Sequence, residues 1–219
     1  MPLPATFDAL LFDMDGTLID STPCVERIWR QWASEVEIDV EHLMAHMHGV
    51  RGVDVIARFA PHRDLQTEFE KLLQRELTDL DGTVVVAGLR ERLAELADAP
   101  YAIVTSAPRV LAETKFDYCD LTLPAVRVYG EDVALGKPHP DPYLRGAALL
   151  GVDSRNCLAF EDAPNGIRSA KAAGMTVIAL ATSHTHDELT EADAVIADWH
   201  ALHFVASPDG RVTVAWEAA

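Results

Sequence analysis

The stretch Ala9-Leu10-Leu11-Phe12-Asp13-Met14-Asp15-Gly16-Thr17 sets a continuous apolar run directly against two carboxylates and a glycine. An apolar run with no polar alternation reads as a strand covered on both faces, as in a parallel sheet. Aspartate and glycine end such a strand because both favour turns. Similar runs recur downstream: Tyr101–Val104, Ala125–Val128, Cys157–Phe160, Thr176–Leu180 and Ala194–Ile196. Between them lie apolar stripes at helical spacing, namely Leu89, Leu93 and Leu96, then Tyr143, Ala147 and Leu150, then Ile167, Ala170 and Ala173. Gly151 and Gly174 stand where two of these helices should stop. Strands alternating with helices predict an α/β fold with a doubly wound, Rossmann-like parallel sheet.

Residues 20–85 interrupt the alternation. Val25, Ile28, Trp29 and Trp32, then Phe69, Leu72, Leu73 and Leu77, repeat at helical spacing and predict an inserted helical cap domain. The core is then expected over 1–19 and 86–219. An insert that follows the first strand would hang over any site at that strand's C-terminal end. Residues 203–216 read as a hairpin turning at Asp209-Gly210 and extending the sheet.

Composition bounds the function. The chain has 219 residues, 49% hydrophobic and 24% charged, the balance of a soluble globular protein. No apolar run approaches the ~20 residues of a membrane helix. The opening Met1–Asp8 lacks the basic and apolar regions of a signal peptide, which predicts a cytoplasmic protein. Cys24, Cys119 and Cys157 are odd in number and widely spaced, which predicts reduced thiols rather than a disulfide framework or zinc site. Against 18 Lys+Arg stand 35 Asp+Glu, a net charge of −17. Such a surface repels phosphate backbones, so neither nucleic acid nor an anionic membrane is an expected partner.

In open α/β sheets, ligands bind beyond the C-terminal ends of the strands. Asp13 and Asp15 follow the first strand, Thr105-Ser106 the second, and Glu161-Asp162 the fourth, while the loop after the third reaches Lys137. Crowded carboxylates repel unless a cation intervenes, and an all-oxygen set suits Mg²⁺. A carboxylate beside Mg²⁺ and a lysine is a competent nucleophile toward phosphorus. Asp15 is placed to donate a proton to a leaving group and later to activate water. The cation also removes the apparent conflict between the net charge and an anionic substrate.

These residues carry a family resemblance. Phe12-Asp13-Met14-Asp15-Gly16-Thr17-Leu18 resembles the first motif of the haloacid-dehalogenase-like superfamily of phosphotransferases. Val104-Thr105-Ser106 resembles its second, Gly136–Tyr143 its third and Phe160–Ile167 its fourth, in family order over nearly the whole chain. The resemblance implies Asp13 as nucleophile, forming an aspartyl-phosphate, and Asp15 as general acid/base. It implies Mg²⁺ held by Asp13, the main-chain carbonyl of Asp15 and Asp162, with Glu161 ligating directly or through water. Thr105, Ser106 and Lys137 would bind the phosphoryl group. Dehalogenase chemistry is disfavoured, because relatives with that activity lack the second aspartate that Asp15 matches.

Within the superfamily the chain resembles small sugar and polyol phosphatases, such as those acting on glycerol 3-phosphate and 2-deoxyglucose 6-phosphate, with β-phosphoglucomutase as a relation. The resemblance implies a four- or five-helix cap that favours a small phosphate ester over a phosphoprotein. His48-Gly49-Val50-Arg51 matches the cap segment that faces the site, with Arg51 a candidate grip on substrate, and Asn165 is a further candidate contact. A hexose-phosphate mutase would use the same groups with a sugar hydroxyl in place of water. A non-catalytic sugar-phosphate binding module would not need Asp15. A phosphonatase would need a cap lysine, and Lys71 has no supporting motif. The sugar and the oligomeric state are not readable, though a monomer suffices.

Simpler roles stand beside these. Thr105-Ser106 could also simply be a helix N-cap, and Arg51 or Lys137 a solvated side chain. Trp29 and Trp32 read as the core of the insert, and His42 and His46 as surface.

Overall fold

The computed structural model describes residues 5–96 and 99–216. The outer ends of the expected core, 1–4 and 217–219, with half of the opening Met1–Asp8 segment, lie outside the described residues. In chain order the strands and helices are β1 (Ala5–Phe7), β2 (Ala9–Phe12), β3 (Ile19–Asp20), α1 (Thr22–Glu35), α2 (Val40–Met47), α3 (Gly52–Phe59), α4 (Leu65–Thr78), β4 (Val84–Val85), α5 (Leu89–Leu96), β5 (Tyr101–Val104), α6 (Arg109–Tyr118), β6 (Val126–Val128), α7 (Asp141–Leu150), β7 (Cys157–Glu161), α8 (Pro164–Ala172), β8 (Thr176–Leu180), β9 (Ala194–Ile196), β10 (Leu202–Ala206) and β11 (Val212–Trp216).

Six strands form the central sheet in the order β6-β5-β2-β7-β8-β9, every neighbouring pair parallel. The order reverses at β2, so the crevice beyond β2 and β7 is where a doubly wound sheet receives ligands. Register brings the strand ends level: Phe12 faces Ile103 on one side and Phe160 on the other.

Both faces of the sheet are apolar because successive side chains point to opposite sides. Leu10, Phe12, Ile103, Leu158 and Phe160 pack toward α5 and α6. Leu11, Val104, Ala159 and Val177 pack toward α7 and α8. The Phe12 and Phe160 rings stack at 5.0 Å, with Trp199 against Phe160 at 4.8 Å. Trp199 Nε1 donates to the Thr17 carbonyl at 2.9 Å, which ties the far side of the core to the loop after β2.

The C-terminal hairpin forms, but it does not extend the central sheet. β10 and β11 pair with β1 in a separate three-stranded antiparallel sheet. Asp8 bends the chain just ahead of the first apolar run, so Ala5–Phe7 and Ala9–Phe12 are two strands that join different sheets.

Between the short antiparallel pair β3 and β4 lie the four helices α1–α4. They enclose their own core of Ile28, Trp32, Leu43, Val55, Ile56 and Leu72. Asp39 and Asp64 cap α2 and α4 by accepting the His42 and Thr67 N–H groups. Trp32 is fully buried, and its Nε1 donates to Glu68 at 2.8 Å. No helix among the described residues is long and apolar enough to cross a membrane. All three cysteines are free and buried.

Candidate active site

Asp13 leaves β2 and Glu161 ends β7, so parallel pairing of these strands sets their carboxylates side by side. Carboxylate oxygens of Asp13, Glu161 and Asp162 lie within 4.8 Å of one another, and all three residues are buried. The loop after β2 must turn tightly to allow this. Gly16 sits at φ +81°, and a Cβ there would overlap the Asp162 carboxylate. Gly166, in the first turns of α8, likewise leaves the space that the Glu161 carboxylate fills.

Lys137 crosses the cluster. Its Nζ lies 2.5 Å from Asp13 Oδ1 and 2.5 Å from Glu161 Oε1, and the residue is 2% exposed. Tyr143 on α7 donates to Glu161 Oε1 at 2.6 Å, and Ser183 Oγ donates to Asp162. Burial pushes the Asp13 carboxyl up to about 7; Lys137 pulls it down and Glu161 adds to the rise. Burial, then repulsion from Asp13 and Glu161, holds Asp162 well above the carboxylate range. Burial works against the Lys137 ammonium, but Asp13 and Glu161 outweigh it and hold its pKa above the ordinary value. Hard oxygen donors that cannot comfortably share charge fit a small divalent cation.

Thr105 and Ser106 follow β5 on the adjoining strand end. Thr105 Oγ1 accepts the Ala107 N–H at 3.0 Å, while Ser106 Oγ donates to the Gly49 carbonyl at 2.8 Å. They do not cap α6, whose N-cap is Pro108. Asp13, Asp15, Thr105, Ser106 and Asp162 share a cavity of about 110 Å³ with the insert, which contributes Val25, Trp29, Met47, His48, Gly49, Val50, Phe69 and Glu76 among others. Trp29 therefore serves both the insert core and the cavity wall, and its Nε1 donates to Glu76 at 2.9 Å.

Residues 48–51 join insert to core. Asn165 Nδ2 donates to the His48 carbonyl at 3.1 Å, and the His48 ring stands 5.3 Å from that of His184. Burial pushes the His48 pKa down against the pull of Glu26, whose carboxylate is 3.3 Å away. Arg51 does not line the cavity: its guanidinium pairs with Asp54 and donates to the carbonyls of Gly130, Val133 and Ala134. Those bonds fasten the insert to the core.

Lys115 is the site residue that sequence reasoning passed over. It lies on α6, is 1% exposed, and places Nζ 2.6 Å from Asp15 Oδ1. A signal existed: Leu111, Ala112, Lys115 and Phe116 share one helical stripe, so a lysine at 115 falls on the buried face.

Residues 7–174 match the family described as haloacid dehalogenase-like hydrolase. The chain belongs to this family. Among the relatives of this haloacid dehalogenase-like hydrolase is hexitol phosphatase A of Escherichia coli K12, 37% identical over 209 residues, covering 93% of this chain and 97% of the relative. Glycerol-1-phosphate phosphohydrolase 1 of Saccharomyces cerevisiae is 36% identical over 203 residues, covering 87% of this chain and 81% of the relative. CbbY from Rhodobacter sphaeroides, solved with phosphate, shares the fold with a TM-score of 0.77 at 24% identity, over 88% of this chain and 95% of that one.

Proposed function

We propose that this hydrolase is a Mg²⁺-dependent phosphatase of small sugar or polyol monophosphates, working through an aspartyl-phosphate on Asp13. The observation that carries the reading is the buried set of Asp13, Glu161 and Asp162, crossed by Lys137, of which Asp13 and Asp162 line a small cavity. The relatives' names support the substrate class, since they are phosphatases of hexitol and glycerol phosphates.

In this reading the Asp13 carboxylate, the main-chain carbonyl of Asp15 and Asp162 would hold Mg²⁺. Glu161, engaged by Lys137 and Tyr143, would contribute directly or through water. Bound there, the ion would offset the crowded negative charge and supply Lewis-acid polarisation of the phosphoryl group. Thr105, the Ser106 N–H and Lys137 orient the phosphoryl group and stabilise its charge. An Asp13 oxygen bonds to phosphorus as the ester P–O bond breaks, and Asp15 gives its proton to the departing alcohol oxygen. Asp15 then takes a proton from the water whose oxygen attacks phosphorus, freeing Asp13 and inorganic phosphate. The four helices of 20–85 act as a cap that shuts bulk water and large substrates out.

The test is phosphate release from a panel of glycerol, hexitol, pentose, hexose and 2-deoxyhexose phosphates, with Mg²⁺ and with chelator. Mg²⁺-dependent turnover with a preference of at least ~10-fold in kcat/KM, about 1.4 kcal/mol, is expected. Binding without release across the whole panel would favour a non-catalytic module instead.

A further inference from the structure

We propose that Lys115 is the residue that positions Asp15 for proton transfer. The inference rests on the phosphatase reading above and adds to it a residue outside the family motifs.

The chain has four lysines, at 71, 115, 137 and 171, and Lys115 is buried in the core with its head at the cavity. A lysine ammonium out of water costs several kcal/mol unless paired, so its partners define why it is there. Lys115 Nζ lies 2.6 Å from Asp15 Oδ1 and 3.3 Å from Ser21 Oγ. Ser21 Oγ in turn donates to the same Oδ1 at 2.5 Å. Both donors converge on one oxygen, and among the described residues no donor reaches Oδ2. The carboxylate is therefore held by one end while the other is left for chemistry. Asp15 and Lys115 are 100 residues apart, so the contact depends on the packing of α6 against the loop after β2.

Glu76, on α4 of the insert, also acts on Lys115 and shares the cavity wall. Glu76 has its own donor in Trp29 Nε1. The ammonium thus feels one carboxylate of the core and one of the insert, with the direct hydrogen bond going to Asp15.

A merely structural ion pair would affect every substrate alike. A positioning role would not, because the need for a proton depends on the leaving group. An alkoxide leaves only when Asp15 protonates it, whereas p-nitrophenolate leaves without help. kcat/KM reports the steps through ester cleavage, which isolates this proton transfer from the later attack by water.

The experiment compares kcat/KM for the best alkyl ester of the panel with that for p-nitrophenyl phosphate, in wild type, Lys115→Met and Asp15→Asn. Lys115→Met should lower the alkyl value about 100-fold and the aryl value by less than about 3-fold, within the range of general-acid contributions. Should the Met variant fail to fold, Lys115→Gln, which keeps a donor without the charge, should show the same asymmetry. Equal losses on both esters, or no loss, would overturn the proposal. Asp15→Asn tests the underlying reading separately. If it lacks the asymmetry, the acid assignment falls and the proposal with it; if it has the asymmetry and the Lys115 variants do not, only the Lys115 proposal falls.

Discussion

Lys137 Nζ stands 2.5 Å from Asp13 Oδ1, a buried cation against a buried carboxylate contributed by a loop 124 residues away. Removing one member of such a pair leaves an uncompensated charge, at a cost of about 3–5 kcal/mol. Lys137→Met is expected to lower the thermal midpoint without metal and to recover part of it when Mg²⁺ is added. Its phosphatase activity should fall at least ~100-fold, because the phosphoryl group loses a charge partner. Thermal denaturation with and without Mg²⁺, together with phosphate release, checks both.

Metal and pH should be linked. Burial raises Asp13 to about 7 and Asp162 well above its ordinary value. In the unfolded chain these carboxyls ionise near ~4. Between there and neutrality the folded, metal-free protein holds more protons than the unfolded chain, so it loses stability as pH rises through that window. A divalent cation binds the ionised carboxylates and relieves this penalty. Mg²⁺ should therefore raise the melting temperature more at about pH 8 than at about pH 5. Equal shifts at both would count against the cluster as the metal site.

Gly16→Ala tests the turn that brings the carboxylates together. The added methyl would overlap Asp162, and φ of +81° is strained for alanine by roughly 1–2 kcal/mol. The expected result is a folded protein whose Mg²⁺ affinity, measured by calorimetry, drops at least ~10-fold. That drop corresponds to about 1.4 kcal/mol of lost binding.

Glu68→Ala separates stability from chemistry. Glu68 is buried and accepts from Trp32 Nε1 at 2.8 Å and from Arg63 at 2.7 Å, away from the cavity. Leaving the indole N–H unpaired should cost about 1–3 kcal/mol by urea denaturation. kcat at moderate temperature should stay within about twofold, since Glu68 itself does not line the cavity.

Much of the site was legible because its residues follow strand ends, and strand ends can be read from runs such as Leu10-Leu11-Phe12 and Ala159-Phe160. What the sequence hid has physical reasons. Lys115 falls on the apolar stripe of its helix, which marks it as buried, but that it meets Asp15 and Ser21 follows only from the packing of α6 against the loop after β2. Tyr143 was legible as an apolar stripe residue, but its hydroxyl reaches Glu161 only once α7 packs on the sheet. Arg51 was placed near the site by motif, yet three carbonyls of the 130–134 loop claim its guanidinium. The β1 strand escaped notice because three residues carry almost no periodic signal, and its partner β11 lies at the other end of the chain.

In the proposed reaction everything turns on Asp13. Its most direct test is the rate of Mg²⁺-dependent phosphate release by Asp13→Asn beside wild type, on the best ester of the panel, with contaminating phosphatase excluded. The amide is nearly isosteric and cannot act as the nucleophile, so activity should fall to background while the protein stays folded. Hydrolysis at an undiminished rate by that variant would contradict the account.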